Sequence, residues 1–342
     1  MTQKDEKTDP PEVEPFCVDE FRPEDAEGMV SLFRAVYGEG YPIKLFYDPE
    51  AIIAANRDGS YISVVARTAS GRIVGVNHLY LSTPCHKLYE SGVGLVLKEY
   101  RNAGVNSKTL AYLYEKYIPR NAGIEEVFGE AVCNHVFMQK AVTGFGFIET
   151  GIQVALMPAE AYTQEKSAAG RVAVLDMFRS YVPRPHRIYL PPIYAPMLRK
   201  IYDRLGYVRD IAVADKIFPQ DQMTFAEQTI FDFARVSRIA VSKSGGDFAD
   251  CLEHLESRAR KQNVVVFQVW LNLTEPWSGY AAEILRDRGY FFGGALPRWF
   301  DGDGLLMQKV ECPPDFDQIL LYSDFSKELL EYIQKDHECT AA

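Results

Sequence analysis

Three side chains in this sequence can take up a proton and stand where their type is conspicuous. Glu130 lies inside the apolar run Val127-Phe-Gly-Glu-Ala-Val132, where a carboxylate needs either a partner or a wet cleft. Glu90 begins the stretch Glu90-Ser-Gly-Val-Gly-Leu-Val-Leu97, and His135 follows Asn134 at the end of Ala131-Val-Cys-Asn134-His135. Each of these two also has a plainer role, Glu90 as a solvated strand end and His135 as a hydrogen-bonded structural histidine. A second kind of chemistry begins after Leu97. Lys98 to Gly104 is polar and closes on a glycine, and from Val105 the apolar residues Leu110, Leu113, Tyr114 and Tyr117 share one helical face that Pro119 helps to end. A loop that delivers the chain through a glycine to a helix N-terminus presents unpaired N–H groups and the positive end of a dipole, an arrangement suited to pyrophosphate. Asn102, Ala103, Gly104, Val105, Asn106 and Ser107 would supply those amides. Arg101 beside them either adds charge or braces its own loop.

The elements that must position these groups can be read from the changes of period. Val93, Leu95 and Leu97 alternate as a strand, and Cys17 to Phe21 reads as another. Arg22-Pro-Glu-Asp25 opens a helix whose apolar face is Met29, Val30, Leu32, Phe33, Val36 and Tyr37, and Asp48-Pro-Glu50 opens a shorter one. Tyr61 to Arg67 and Arg72 to Leu81 form a hairpin through Thr68-Ala-Ser-Gly71. A helix over 105–117, a strand over 126–132, a helix over 137–143 and strands over 147–157 follow. The aromatics Tyr37, Tyr41, Phe46 and Tyr47 between the first helices suit either a pocket wall or core packing.

Arg101-Asn-Ala-Gly104-Val-Asn106 resembles the Arg/Gln-x-x-Gly-x-Gly/Ala loop of the GNAT acyl-CoA-dependent N-acyltransferase superfamily. Ala131-Val-Cys-Asn134-His135, followed by a helix closing in Gly146-Phe147, resembles that family's next strand, asparagine and helix. Asn106 departs from the pattern. The order β-α-α-β-β-β-α-β-α-β over residues 16–158 is similar to the GNAT fold, so the expected class is α/β with a mixed sheet. The resemblance implies acetyl-CoA, or another acyl-CoA, as co-substrate, laid across strands ending at Leu97 and Val132. Backbone groups of Gly94, Leu95 and Val96 would pair with the pantetheine arm, a main-chain N–H near Val96 would polarise the thioester, and Asn134 would assist. The amine acceptor must lose a proton before it attacks, and Glu130, Glu90 and His135 are the candidates, with Glu130 the stronger anomaly. The family's acidic tyrosine has no counterpart, since Ala141 and Val142 stand at that place.

The rest of the chain repeats part of this plan. Strand, helix and strand are expected over 232–242, 247–262 and 264–273, then a helix over 276–288 and strands over 291–296 and 305–310. Asn272 follows the strand and Gly289-Tyr290 the helix, as in the first half. The loop Ser242-Lys-Ser-Gly-Gly246-Asp247 lacks the Arg-x-x-Gly spacing and reads as a turn with Asp247 as N-cap. The expected organisation is a disordered tail at 1–15, a GNAT domain at 16–160, and a linker with a Pro-started bridging helix at 161–225. A degenerate, tandem GNAT-like domain at 226–312 and a C-terminal helix and tail at 313–342 complete it.

Composition bounds the function. A formal charge of −10 over 342 residues disfavours nucleic acid and mildly favours a cationic or neutral acceptor, a small-molecule amine or an amino group of a protein. Six cysteines without CxxC pairs, an acidic start and no long apolar run lead to the expectation of a cytoplasmic protein with free thiols, no metal and no membrane partner. Monomer and homodimer both stay open. The competing reading is a non-catalytic acyl-CoA-binding or sensing module whose second half binds a partner, and a third is a purely structural pair of halves. No Gly-x-Gly-x-x-Gly or phosphate-loop lysine motif supports a dinucleotide enzyme.

Overall fold

The computed structural model describes residues 13–159, 170–219 and 221–340. The expected tail at 1–15 therefore lies outside the described residues but for its last three, as does nearly all of the boundary segment 164–170. The described residues form two compact units, one of residues through Ser82 with Tyr89–Ile124, the other of Thr83–Leu88 with the residues from Glu125 onward. Each is taken by itself.

In the first unit the strands run in the order β1 (Phe16–Glu20), β2 (Tyr61–Thr68), β3 (Ile73–Tyr80), β4 (Leu88–Val96), all antiparallel. The apolar spacing of α1 (Ala26–Tyr37) puts Met29, Val30, Leu32 and Phe33 into the core beneath them. Truncating Phe33 to alanine there would cost about 3–5 kcal/mol. Asp48 caps α2 (Pro49–Asp58) by accepting the amides of Glu50 and Ala51 at 3.0 and 3.3 Å, Pro49 stands at its first turn, and Gly59 ends it in the left-handed region. The helix expected over 105–117 is α-helical only as α3 (Val105–Ala111). It widens to a π-helical turn over Tyr112–Tyr117 and ends in a 3-10 turn at Ile118–Arg120, where Pro119 has no N–H to continue the ladder.

The second unit holds β5 (Glu126–Val132), α4 (Phe137–Thr143), β6 (Ile148–Pro158) and β7 (Arg171–Ser180). Its later part holds β10 (Phe225–Phe231), β11 (Val236–Lys243), α6 (Phe248–Arg260), β12 (Val266–Asn272), α7 (Ser278–Asp287), β13 (Phe291–Leu296), β14 (Gly304–Val310) and α8 (Asp324–Thr340). Its strands run β5-β7-β6-β13-β14-β12-β11-β10. The repeat expected from the sequence is visible within this unit: β7 lies between β5 and β6 as β14 lies between β12 and β13, and β11 and β12 are parallel across α6. The two sets meet at one pair, Gly151 and Gly294, where a Cβ on Gly294 would fall 2.2 Å from the Gly151 Cα. Beyond it the side chain of Gln308 replaces the ladder, donating to Ile152 O and accepting from Val154 N, both at 2.8 Å.

The segment 161–225, expected as a linker with one helix, contains a central strand. The run Val172-Ala-Val-Leu175 of β7 is buried, and a strand buried on both faces reads as a continuous apolar run rather than an alternation. The bridging helix is present as α5 (Ala195–Leu205), between the strands β8 (His186–Leu190) and β9 (Arg209–Val213), which pair in parallel.

Candidate functional site

The first unit brings a row of chemistry-bearing side chains across three strands. Tyr61 on β2 pairs in register with Tyr80 on β3, and Tyr80 with Glu90 on β4. A strand turns alternate side chains to one face, so the three stand side by side. The Tyr61 and Tyr80 rings stack with centroids 5.2 Å apart, and the Tyr80 hydroxyl donates to the Glu90 carboxylate. The next row on that face is Ser63, His78 and Gly92. A Cβ on Gly92 would meet the Tyr80 hydroxyl at 2.8 Å, so a side chain there would displace that hydroxyl.

His78 is fully buried against Phe33, Phe46 and Tyr61, and burial brings its pKa down to about 4, so the ring is neutral. Its Nδ1 therefore donates to Val93 O at 3.1 Å, leaving Nε2 as a buried lone pair with no hydrogen-bond partner among the described residues. Above this face Phe33 stacks on Phe46 at 4.2 Å, and Tyr41 packs 5.3 Å from Phe33 and 4.8 Å from Tyr37. Burial raises the pKa of Tyr41 and Tyr61, and Glu90 adds to both shifts. Of the four aromatics of the α1–α2 stretch given two readings, Phe46 belongs to the core, Tyr41 and Tyr47 are half-buried and Tyr37 is exposed. Tyr61, His78 and Tyr80 were not among the residues singled out from the sequence. The alternation His78-Leu-Tyr80 opposite Tyr61 was the available signal.

One step along β4 the register with β3 breaks. Val76 pairs with Leu95 and His78 with Gly92, so β4 carries an extra residue, and Val93 takes a positive φ of 52°. The irregularity is at Val93 and Gly94. Leu95 and Val96, expected near the point of carbonyl polarisation, keep regular pairing with Val76 and Gly75. Gly94 is exposed, and a Cβ on it would fall 2.3 Å from Asn77 Oδ1. Asn77 also donates to Asn106 Oδ1 at 3.0 Å and Thr109 Oγ1 at 2.7 Å, tying the bulge to the start of α3.

There the loop expected as a cradle leads into α3. Gly104 is the residue before α3, left-handed at φ 77°, with no atom within 4 Å of a built Cβ, and no side chain caps the helix. Arg101, Asn102 and Ser107 are exposed, Ala103, Gly104 and Asn106 half-buried, and Val105 is buried against Gly75.

The remaining candidates belong to the second unit. Glu130 accepts from Arg238 Nη2 and from Gln153 Nε2, both at 2.9 Å. Gln153 also donates to Asp176 Oδ1 at 2.6 Å and accepts from Gln268 at the same distance. The carboxylate that looked out of place in an apolar strand is one member of a hydrogen-bonded network. His135 lies 5.1 Å from the Phe137 ring, its Nδ1 buried without a hydrogen-bond partner among the described residues. Asn134 lines a hollow of about 300 Å³ with Cys133, Arg171, Asp315 and Asp317. Gln139 of α4 holds one side of this hollow, donating to Leu320 O and accepting from Tyr322 N at 2.9 Å each.

The most deeply buried charges of the unit lie elsewhere. Asp303 accepts from Arg209 and from the Arg298 amide, and His186 Nε2 lies 3.1 Å from its Oδ1. Burial opposes its charge, yet Arg209 and His186 hold its carboxyl below the usual range. Burial, with Asp303 nearby, pushes Glu126 up to about 7 while Tyr207 donates to it at 3.0 Å.

The loop after β11 has the cradle's topology and none of its openness. Ser244 N donates to Glu275 Oε2 at 2.9 Å, Gly245 N to Thr224 Oγ1 at 3.1 Å and Gly246 N to Gln222 O at 3.0 Å. A Cβ on Gly245 would fall 2.0 Å from Gln222 O. Asp247, expected to cap α6, makes no cap bond and accepts instead from Thr224 N at 2.7 Å.

No protein-family model matches the chain, and no curated protein matches its sequence. Among solved structures it is similar to a ribosomal-protein-S5-alanine acetyltransferase from Vibrio fischeri, with a TM-score of 0.39 and 12% identity over 49% of this chain and 94% of that one. An N-acetyltransferase from Staphylococcus aureus Mu50 also has a TM-score of 0.39 and 12% identity, over 48% and 98%. An aminoglycoside 6'-N-acetyltransferase complexed with coenzyme A has 0.35 and 15%, over 49% and 99%. Scores this low leave the fold to the elements themselves. The order from β1 through β6 is the order of the GNAT fold, and the later part of the second unit repeats its closing elements.

Proposed function

We propose that the chain transfers an acyl group from an acyl-CoA thioester, acetyl-CoA in the simplest case, to an amine held beside Glu90. The observation that carries this is the make-up of β4 and the loop that follows it. Glu90 with Tyr80, the bulge at Val93 and Gly94, and the Gly104 cradle follow one another in that order.

Each part has a task. Ala103 N–H is taken by Tyr100 O at 3.0 Å, so the loop amides of Asn102 and of Gly104 to Ser107 hold phosphate at the uncapped start of α3, and Arg101 adds charge. The bulge takes Val93 and Gly94 out of the β3 register, and although His78 holds the Val93 carbonyl, main-chain groups of Gly94 would serve the pantetheine arm and an N–H would polarise the thioester carbonyl. Glu90, oriented by the Tyr80 hydroxyl, accepts a proton from the incoming ammonium and so frees the lone pair. The C–N bond forms as the C–S bond breaks. The proton that the nitrogen still sheds as the amide forms passes through water to the departing thiolate, a step undemanding near neutral pH that dispenses with a tyrosine at Ala141 or Val142. Glu130 has a different role in this reading, since its carboxylate is committed to Arg238 and Gln153.

The test is calorimetric titration with acetyl-CoA, with thiol release followed against a panel of amines. Binding with amine-dependent release supports transfer. Binding without release from any amine moves the protein to the sensing alternative, and no binding refutes the cradle.

A further inference from the structure

We infer that a second copy of this chain adds to the outer edge of β10, strand against strand, as an antiparallel pair about a twofold axis at Gln228. The inference is independent of the transfer reading and begins from what the repeat leaves out. In the first unit β3 is covered on its outer side by β2, and β2 in turn by β1. In the second unit β10 stands to β11 and α6 as β3 stands to β4 and α3, the antiparallel neighbour of the strand that leads into the helix. No counterpart of β2 follows, and among the described residues the strand order ends at β10. The chain on both sides turns toward β11. Before β10, Gln222 O takes the Gly246 amide at 3.0 Å and Thr224 N donates to Asp247 at 2.7 Å, and after it the Arg235 amide donates to Asp232 O at 3.1 Å.

An uncovered edge presents a row of main-chain donors and acceptors, and proteins blunt such edges with short strands, charges or proline. β1, the edge strand of the first unit, is blunted in this way: it has five residues, ends in Asp19 and Glu20, and Pro23 follows. β10 is not. It runs seven residues without proline, carries Glu227 as its one charge, and pairs with β11 in regular register from Ala226 to Phe231. Its open face bears Phe225 and Phe231, 60% and 43% exposed, with Glu227 and Thr229 exposed between them.

This spacing is its own complement, which is why the occupant is a second copy. Antiparallel pairing centred on Gln228 sets Phe225 opposite the partner's Phe231, Ala226 opposite the partner's Ile230 and Glu227 opposite the partner's Thr229. Aromatic rings meet at both ends, and each carboxylate meets a hydroxyl. An axis at Glu227 would set two carboxylates directly opposite, and an axis at Thr229 would set Glu227 against the partner's Phe231, both unfavourable. One register is thereby selected.

The experiment follows the mass of the full chain by sedimentation equilibrium from about 1 to about 200 μM, with amide hydrogen exchange read at both ends of that range. The expected result is a dimer at the high end, where β10 amides exchange at least about tenfold more slowly than at the low end while β1 amides are unchanged. Phe225→Glu combined with Phe231→Glu sets carboxylates opposite one another and should weaken the dimer at least about a hundredfold, with the melting curve at low concentration kept because both rings face solvent. A monomer at every concentration overturns the inference. So does a dimer that the folded double variant leaves intact, or one whose β10 amides exchange equally at both concentrations. If the double variant fails to fold, exchange in the parent chain decides by the same criterion.

Discussion

The loops that follow β4 and β11 share a plan, strand, glycine-containing turn and helix, and differ in whether their amides are already answered. After β4, the Ala103 amide is taken by Tyr100 O at 3.0 Å, but Gly104 has open space on its Cβ side before an α3 that no side chain caps. After β11, the amides of Ser244, Gly245 and Gly246 are each taken by the protein's own oxygens, one of them a carboxylate. Glu275 thus stands where an external anion would. Helix N-termini attract anions because their donors lack partners, so on the proposed function the same topology serves as a binding site in one place and is a closed joint in the other.

The sharpest way to break this comparison is charge. Gly104→Glu places a carboxylate among the cradle amides and should weaken acetyl-CoA by at least about a hundredfold, from like-charge repulsion and lost phosphate contacts. The left-handed φ costs about 1 kcal/mol, small enough for the fold to persist. Calorimetry alongside a melting curve separates the two effects. Unchanged affinity would end the claim that this loop is the open one.

Glu90→Gln should leave acetyl-CoA affinity in place and lower kcat by about 10²–10⁴, the range of a lost general base, measurable by thiol release. Glu130→Gln should do the opposite. It keeps turnover and lowers stability by about 1–3 kcal/mol, because the part-buried network around Arg238 loses a charged acceptor. A denaturant midpoint reads this, and the reverse assignment of effects would return the base to Glu130.

How these residues looked in the sequence explains what was legible there. The Gly104 loop and the helices α1, α2 and α4 were legible because caps, prolines and apolar spacing are local signals. The repeat in the second unit was legible from element order. Glu130 was rightly marked as a carboxylate needing a partner, but the partner, Arg238, comes more than a hundred residues later and no local pattern announces it. The bulge at Val93 depends on register with β3, and the Tyr61–Tyr80–Glu90 row on pairing across three strands. β7 was missed because burial on both faces erased its alternation.

The charged cluster of the second unit makes a prediction in pH. Glu126 has a folded pKa near 7 against an ordinary 4.5. A raised carboxyl pKa means that the folded state holds the proton more tightly, so this contribution is fully present below about 4.5 and is lost as pH rises through about 7. The loss is on the order of 3 kcal/mol. Glu126→Gln should flatten that fall in melting temperature between pH 5 and 7. Asp303, with a depressed pKa, acts oppositely, its contribution present above about 4 and lost on further acidification, so the two slopes are separable.

The smallest expected effect returns to the closed loop. Glu275→Ala removes the carboxylate that accepts Ser244 N–H, and the half-exposed joint should lose about 1 kcal/mol. It should not gain an anion site. Gln222 O still takes the Gly246 amide, Thr224 still takes Gly245, and the 2.0 Å approach of Gln222 to Gly245 leaves no room for a phosphate. Acetyl-CoA should therefore still titrate to one equivalent per chain. A second equivalent in the variant would mean that one carboxylate alone separates the two loops, and that the backbone of Gln222 yields when an anion arrives.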